Sequence, residues 1–428
     1  MISHLVGGIL PEELMMEIIM KIPVRFLARL RCVCKSWNVL FTDPQFAAKL
    51  LEHSRSNNTH QKLVLFSGFS RPLAGKYVAL FRQLHEQPRI LFEINPKAGR
   101  KLDYFPNLNF TDCLKECVVC GSINGIICLS SIYTSHTRFV ILWNPSINYW
   151  KPIYLPPLKH YYDGAYSSFG LAFDSLTNDY KIIMLVSSVS TRPCPTSRIE
   201  VYSAKQDSWS EVNSQVPFFT TRPNCSLILK GVPYWSRNYI PTDCSHDDCQ
   251  RNFIASVHPH TGLYKKIPYP QIVLNKKTSI HPFNFMDSLA LLIYSPGDKP
   301  NQTFHVYALD DEDGSATTWI NIYSTDTPTI LQNQDICILQ CFEDAGKTVV
   351  VGWNHDENVS FLYDLKTDCL IDSIGLDAFR VIWDESFYHV ESLVCIPGMQ
   401  PIPNEDDYQN KRTAPKFVGR QQFGGVLL

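Results

Sequence analysis

The chain has 428 residues, of which 45% are hydrophobic and 19% charged, so a sizeable core is available and wholesale disorder is excluded. Its 39 Lys and Arg stand against 41 Asp and Glu, a formal net charge of −2. This leaves no electrostatic footprint for general nucleic-acid binding or for an anionic membrane surface. The opening Met1–Leu10 has no basic segment and runs at once into Glu12 and Glu13, which predicts no secretory signal. The longest stretch free of Asp, Glu, Lys and Arg, 117–137, is broken by Gly121, Asn124-Gly125 and several serines. It reads as two strands about a turn and not as a membrane span. Fourteen cysteines are too dilute for a disulfide scaffold and read as reduced thiols, which predicts the cytosol or the nucleus as the compartment. Sequons such as Asn109-Phe-Thr111 and Asn301-Gln-Thr303 then carry no meaning.

Residues 10–53 have a helical period. Leu10-Pro-Glu-Glu-Leu14 is a helix start, with Pro11 at a position that needs no N–H and the two carboxylates at the positive end of the dipole. Leu14, Ile18 and Ile22 recur at i, i+4 and i+8, widened by Met15 and Ile19. Pro23 stops that helix and opens the next, in which Leu27, Leu30 and Cys34 recur. Val33, Trp37 and Leu40 carry the stripe into a third helix, and Asp43-Pro44 caps a fourth through Phe46, Leu50 and Leu51. Four short helices cannot bury Leu10, Leu14, Ile18, Ile19, Ile22, Val24, Phe26, Leu27 and Leu30 against one another alone. Some of that surface requires a partner, either the rest of the chain or another protein.

The run ILPEELMMEIIMKIPVRFLARLRCVCKSWNVLFTDPQFAAKLL resembles an F-box, the motif that docks onto the Skp adaptor of cullin-based ubiquitin ligases. The matching residues are Leu10-Pro11, Ile18-Ile19, Ile22-Pro23-Val24, Leu27, Leu30, Val33, Cys34-Lys35, Ser36-Trp37, Asp43-Pro44 and Phe46. The resemblance implies that Leu10, Pro11, Leu14, Ile18, Ile22, Pro23, Val24 and Leu27 face the adaptor. It implies that Leu30, Val33, Cys34 and Trp37 hold the helices together.

From Lys62 the texture changes to short β-prone runs such as Leu63–Phe66, Phe139–Leu142, Lys181–Val186 and Thr348–Val351, separated by turn residues. Asn124-Gly125, between Ser122-Ile123 and Ile126–Leu129, is a two-residue hairpin signal. Six segments share one pattern: a strand ending in a large residue, a polar turn, then a second large residue. They are centred on Ile94, Trp143, Tyr202, Val257, Tyr307 and Tyr363, at spacings of 49, 59, 55, 50 and 56. A repeat of that size over the β-region predicts a propeller of about six blades, with a pair of β-sandwiches as the alternative. Leu63–Phe66 pairing with Glu391–Ile396 would close such a ring.

The same segments resemble the F-box-associated, kelch-related domain of a large plant family. The carrying residues are GSINGIICL (121–129), LWNPSINYWKPIYLP (142–156), FGLAFDSLTNDYKII (169–183), IEVYSAKQDSWSEV (199–212) and KGVPYWS (230–236). The Gly-Gly pair of kelch blades does not occur within the repeats. The expected organisation is an N-terminal extension at 1–9, the helical F-box module at 10–53, a linker at 54–61, the β-propeller-like domain at 62–396 and a flexible tail at 397–428.

Catalytic signals are few. Gly346-Lys347-Thr348 ends like a phosphate-binding loop, but Cys341 replaces the first Gly and a β-run follows, so a hairpin turn is expected. Cys117-Val-Val-Cys120 on a strand puts its thiols on opposite faces, as buried apolar cysteines. Cys244, His246 and Cys249 lie close in sequence, and zinc would need a fourth ligand such as His258 or His260; a polar loop is the simpler account. Asp310–Asp313 reads as a solvated acidic turn. No cofactor is expected. The resemblance implies a non-catalytic substrate receptor of a Skp–cullin–F-box ubiquitin ligase, with a protein target and with neither nucleic acid nor membrane as partner. Some relatives, the pollen S-locus F-box proteins, recognise S-ribonucleases in self-incompatibility. A propeller enzyme whose N-terminal helices are a structural cap, and an F-box protein acting outside a ligase, are the alternatives.

Overall fold

A computed structural model describes residues 11–56, 63–70, 75–81, 89–94, 117–131, 139–156, 165–188, 197–216, 224–236, 253–271, 278–295, 303–310, 318–326, 336–344, 346–354, 359–371 and 381–402. Four helices come first: α1 (Glu12–Met20), α2 (Val24–Leu30), α3 (Lys35–Thr42) and α4 (Pro44–Ser56). Pro11 and Pro23 occupy the N-cap positions of α1 and α2, and Asp43 begins α4, its Oδ1 accepting from the Gln45 N–H at 3.0 Å. The second helix is shorter than its apolar spacing predicts. After Leu30 the amides of Cys32 and Val33 bond back three residues to Arg29 and Leu30, and Cys34 is extended, at the N-cap of α3. The last helix reaches Ser56, into the segment expected as linker.

The described β-residues form six antiparallel sheets. The first combines β1 (Leu63–Ser70), β2 (Gly75–Phe81) and β3 (Arg89–Ile94) with β24 (Val381–His389) from the far end of the chain. The second holds β4 (Cys117–Ile123), β5 (Ile126–Ser131), β6 (Phe139–Asn144), β7 (Tyr149–Tyr154) and the short β25 (Gln400–Pro401). The third runs from β8 (Ala165–Asp174) through β9 (Asp179–Ser188) and β10 (Ser197–Ser203) to β11 (Ser208–Val216). The fourth consists of β12 (Leu227–Leu229), β13 (Val232–Ser236), β14 (Phe253–Val257) and β15 (Tyr264–Pro268). β16 (Ser279–Phe285), β17 (Ser288–Ser295), β18 (Thr303–Asp310) and β19 (Thr318–Asp326) make the fifth. The sixth is β20 (Ile336–Asp344), β21 (Lys347–Asn354), β22 (Val359–Asp364) and β23 (Cys369–Ile371).

One strand of each sheet meets its counterparts in the two neighbouring sheets, in the cycle β24, β4, β8, β12, β16, β20 and back to β24. The sheets are therefore six blades of a closed ring, with those strands innermost. The ring closes between distant parts of the chain, from Leu63↔His389 to Ser70↔Val381. Leu63–Phe66 thus pairs with 386–389 and not with Glu391–Ile396. That later segment is engaged elsewhere, its Ser392 and Val394 carbonyls accepting from the Asn144 side chain. Closure covers the edge of β1 that would otherwise be unpaired. Gln400–Pro401, expected in the tail, adds a fifth strand to the second blade; 403–428 lie outside the described residues.

The turns explain the repeat. Trp143, Tyr202, Val257, Tyr307 and Tyr363 lie on the third strand of their blades, whereas Ile94 ends the fourth position of the first blade, so its segment is out of phase. Five residues beyond four of these stand Asn148, Asp207, Gly262 and Asp368, all with positive φ (58°, 52°, 68° and 56°). Asn, Asp and Gly tolerate that left-handed turn position best. The turns are further held by Asn144 accepting from the Ser146 N–H at 2.9 Å and Asp364 accepting from the Lys366 N–H at 3.1 Å. Tyr202 and Tyr363 donate their hydroxyls to Asp207 and Asp368. Turns between first and second strands are tighter: Asn124-Gly125, Lys230-Gly231 and Met286-Asp287 each pair two positive φ values. In an up-and-down blade both kinds of turn lie at one end of the ring.

Cys117, Ile127, Ile141 and Trp143 of the second blade, Ile183 of the third and Trp235 of the fourth belong to one core, while Cys120, Cys128 and Leu142 of the second blade and Leu171 and Ile182 of the third share another. Cys117 and Cys120 are thus buried in different clusters, and burial pushes the Cys128 thiol well up, with Cys120 beside it. Lys347 and Thr348 begin β21, as the hairpin reading requires.

Candidate partner-binding surface

The helical module divides its apolar residues between two faces. Met15, Ile19, Val24, Leu27, Phe41, Phe46, Ala47 and Leu50 form a core of their own, with Trp37 edge-on to Phe41 at 5.9 Å and Phe41 against Phe46 at 5.5 Å. The opposite face of α1 is apolar but open: Leu14 is 48% and Ile18 52% exposed, one helical turn apart, with Pro11 exposed before them and Ile22 half-buried after them. On a helix, residues three and four apart form one stripe, so Leu14 and Ile18, with Pro11 at the N-cap, present a continuous ridge; Ile22, past the end of α1, packs partly against the helical core. Exposed Glu13, Glu17 and Lys21 flank it.

Each sequence-derived site residue has a definite place, except that Leu10 lies outside the described residues. Pro11, Leu14, Ile18, Ile22 and Pro23 are wholly or partly at the surface. Val24 and Leu27 are not offered to a partner in the free chain: they are 4% and 0% exposed, in the helical core. Their spacing points them inward with Met15 and Ile19, so the expected adaptor-facing set is corrected by two residues. Among the expected core residues, Trp37 and Leu30 do pack against that cluster, but Val33 is 67% exposed and Cys34 is exposed. The correction follows from the end of α2 at Leu30, which swings the next residues to the outside.

Phe26 was not among the expected site residues. It is 46% exposed on α2, with the Arg25 and Arg29 guanidinium carbons 5.7 and 5.8 Å from its ring centroid. Its sequence signal is a large aromatic between two arginines, next to Leu27 and turned about 100° from it on α2. Large exposed aromatics flanked by arginine are the composition of interface anchors.

The module does not stand apart from the ring. Its core takes in Ile147, from the turn between β6 and β7, and Leu393, from the segment after β24, with Tyr149 packed alongside. The Arg31 guanidinium lies over the Tyr149 ring at 5.6 Å from its centroid. The polar signals on the ring resolve differently. His258 accepts backbone N–H groups of the turn after β14, at 3.2 Å from His260 and 3.4 Å from Thr261. His260 reaches Asp174 of the third blade at 3.0 Å. Cys244, His246 and Cys249 lie outside the described residues. Among the described residues no three His, Cys, Asp or Glu side chains converge as a metal site, and no helix is long and apolar enough to cross a membrane.

Two family models match the chain: one described as an F-box associated beta propeller domain over residues 109–396, and one described as an F-box domain over residues 9–49. Among similar Arabidopsis thaliana proteins, one bearing an F-box protein name is 26% identical over 265 residues, covering 61% of this chain and 61% of its own length. An F-box/kelch-repeat protein is 24% identical over 236 residues, covering 53% of this chain and 58% of its own. An F-box/WD-40 repeat-containing protein is 22% identical over 425 residues, covering 94% and 90%. With the first two, the match spans about three fifths of the relative's length.

Proposed function

Because this chain belongs to the F-box associated beta propeller family, we propose that it is the substrate-recognition subunit of a Skp–cullin–F-box ubiquitin ligase, non-catalytic itself and working in the cytosol or nucleus. The observation that carries the reading is the open ridge Pro11–Leu14–Ile18, on a helical module whose opposite face is already filled by its own core and by the ring. Covering such a ridge removes apolar side chains from water, at roughly 1.5–3 kcal/mol for each one fully buried. A Skp-type adaptor is the partner that an F-box implies.

The mechanism is positional. The helices hold the adaptor and, through it, the cullin; the ring holds a target protein. Tethering raises the target's effective concentration at the ubiquitin-charged enzyme into the range of about millimolar, so the chain supplies proximity and no nucleophile. The helices dock at the end of the ring that carries both kinds of turn, since Ile147 lies in the turn between β6 and β7. The opposite end is left for the target.

The test is co-expression with a Skp adaptor followed by size-exclusion chromatography, comparing wild type with the double variant Pro11→Ala, Ile18→Asp. Wild type co-elutes. The variant places a carboxylate in the apolar contact and loses about 3 kcal/mol, roughly a hundredfold in affinity, while the ring keeps its thermal transition. Undiminished binding by the variant would overturn the surface assignment, and a folded wild-type chain that ignores the adaptor would overturn the function.

A further inference from the structure

The segment after the ring-closing strand, 390–402, does two jobs at once. One side belongs to the ring: Ile396 is buried in the core shared by the second and third blades, with Val394 and Met399 against it. Ser392 Oγ donates to the Asn124 carbonyl at 2.5 Å, Lys151 Nζ donates to the Pro397 carbonyl at 2.9 Å, and Gln400–Pro401 pair with Tyr149 and Trp150. The other side belongs to the helices, because Leu393, 4% exposed, is part of their core.

Asn144 is the hub of this arrangement. Fully buried at the end of β6, it donates its Nδ2 to the Ser392 carbonyl at 3.0 Å and to the Val394 carbonyl at 2.8 Å, bracketing Leu393. Its Oδ1 accepts from the Ser146 N–H at 2.9 Å, which fixes the turn that presents Ile147. One amide therefore orients both ring residues that enter the helical core. An aspartate in its place would lack the donors, and an alanine would leave two carbonyls and one amide unsatisfied.

We infer that Asn144 and the 390–402 strap set a single orientation of the helical module on the ring, with Leu393 and Ile147 as the pins, so that adaptor and target are held at one relative angle. That the angle serves ubiquitin transfer rests on the function proposed above; the fixed orientation itself does not. The pins come from a turn and from an irregular segment, which have one neighbour each side along the chain and no ladder to slide along. A hydrophobic contact there holds the module to the ring at one orientation.

The experiment uses the full chain with dyes on azido residues at two exposed positions, Glu52 on α4 and Leu263 on the ring, read by single-molecule energy transfer. Wild type gives one narrow efficiency peak, and Leu393→Asp or Asn144→Asp loses it to a broad distribution. Leu393→Gln, milder for folding, loses it in part. Adaptor affinity, measured on the same samples, changes by less than about threefold, because the ridge lies on the other face of α1. A broad wild-type distribution, or a narrow peak unmoved by all three variants, would overturn the inference. Loss of adaptor binding by wild type would sink only the function above and leave the orientation result standing.

Discussion

Asp174 is the most demanding single residue of the ring. Its carboxylate is 1% exposed and takes Lys181 Nζ and His260 Nδ1, each at 3.0 Å, and the Thr177 hydroxyl at 2.6 Å, so one group ties the third blade to the fourth. Burial by itself raises its pKa, but the hydrogen bonds from Thr177, His260 and Lys181 together outweigh that and hold it well below the usual carboxylate range. A carboxyl depressed in the folded state stabilises fully above its unfolded value, near about 4, and loses that contribution as pH falls through the lower folded value. Asp174→Asn is therefore expected to cost about 2 kcal/mol at pH 7, by leaving the half-buried Lys181 ammonium with no carboxylate and only the Pro259 carbonyl, at 2.8 Å, to accept from it. The same variant should show a shallower loss of urea midpoint below about pH 4 than wild type does. Equal slopes for the two proteins would show that Asp174 is not what acid attacks first.

At the scale of elements, the tight hairpin between β4 and β5 shows what local sequence determines. Asn124 and Gly125 both adopt positive φ, at 54° and 85°, as the Asn-Gly pair requires. What the pair does not reveal is that Gly125 also sits beneath the strap: a Cβ there would overlap Ser392 Oγ and come within 2.9 Å of the Val390 carbonyl oxygen. Gly125→Ala should destabilise by about 2 kcal/mol, part of it backbone strain that Ser392→Gly cannot relieve, so that the double variant recovers only part of the loss. Thermal melting of the three variants separates strain from clash. The same contrast runs through the whole reading. Helix starts at Pro11, Pro23 and Asp43, the hairpins and the repeat were legible, because each is decided within a few residues. The partner of β1, the phase of the Ile94 segment and the inward turn of Val24 and Leu27 were not, because they depend on contacts hundreds of residues apart or on where α2 stops. On the candidate surface, period marked Leu14, Ile18 and Ile22 with Met15 and Ile19 as one apolar stripe, and only the F-box resemblance turned Pro11, Leu14 and Ile18 toward a partner; the exposure of Phe26 could be read from neither, since period places it on a helix but does not say which neighbours cover it.

For the whole molecule, ring closure and helix docking share one short stretch, 381–402. Removing β24 opens the cycle of inner strands, whereas removing only 390–402 leaves the cycle intact and frees the helices. Deletion of 381–402 is expected to abolish cooperative thermal unfolding, and deletion of 390–402 to retain a transition for the ring alone; calorimetry on both distinguishes them. A single unchanged transition in the larger deletion would mean that the ring does not need its last strand. The pairing of β1 with β24 has a consequence in time as well as in space. During synthesis, Leu63–Ser70 leaves the ribosome long before Val381–His389 exists, and at ~10 residues per second the interval is roughly half a minute. Throughout it the first blade carries an unsatisfied strand edge, and the helices await Leu393 to complete their core. The nascent chain is thus at its most adhesive until Val381–His389 emerges, and its yield in a cell depends on whatever shields that edge while the ribosome works.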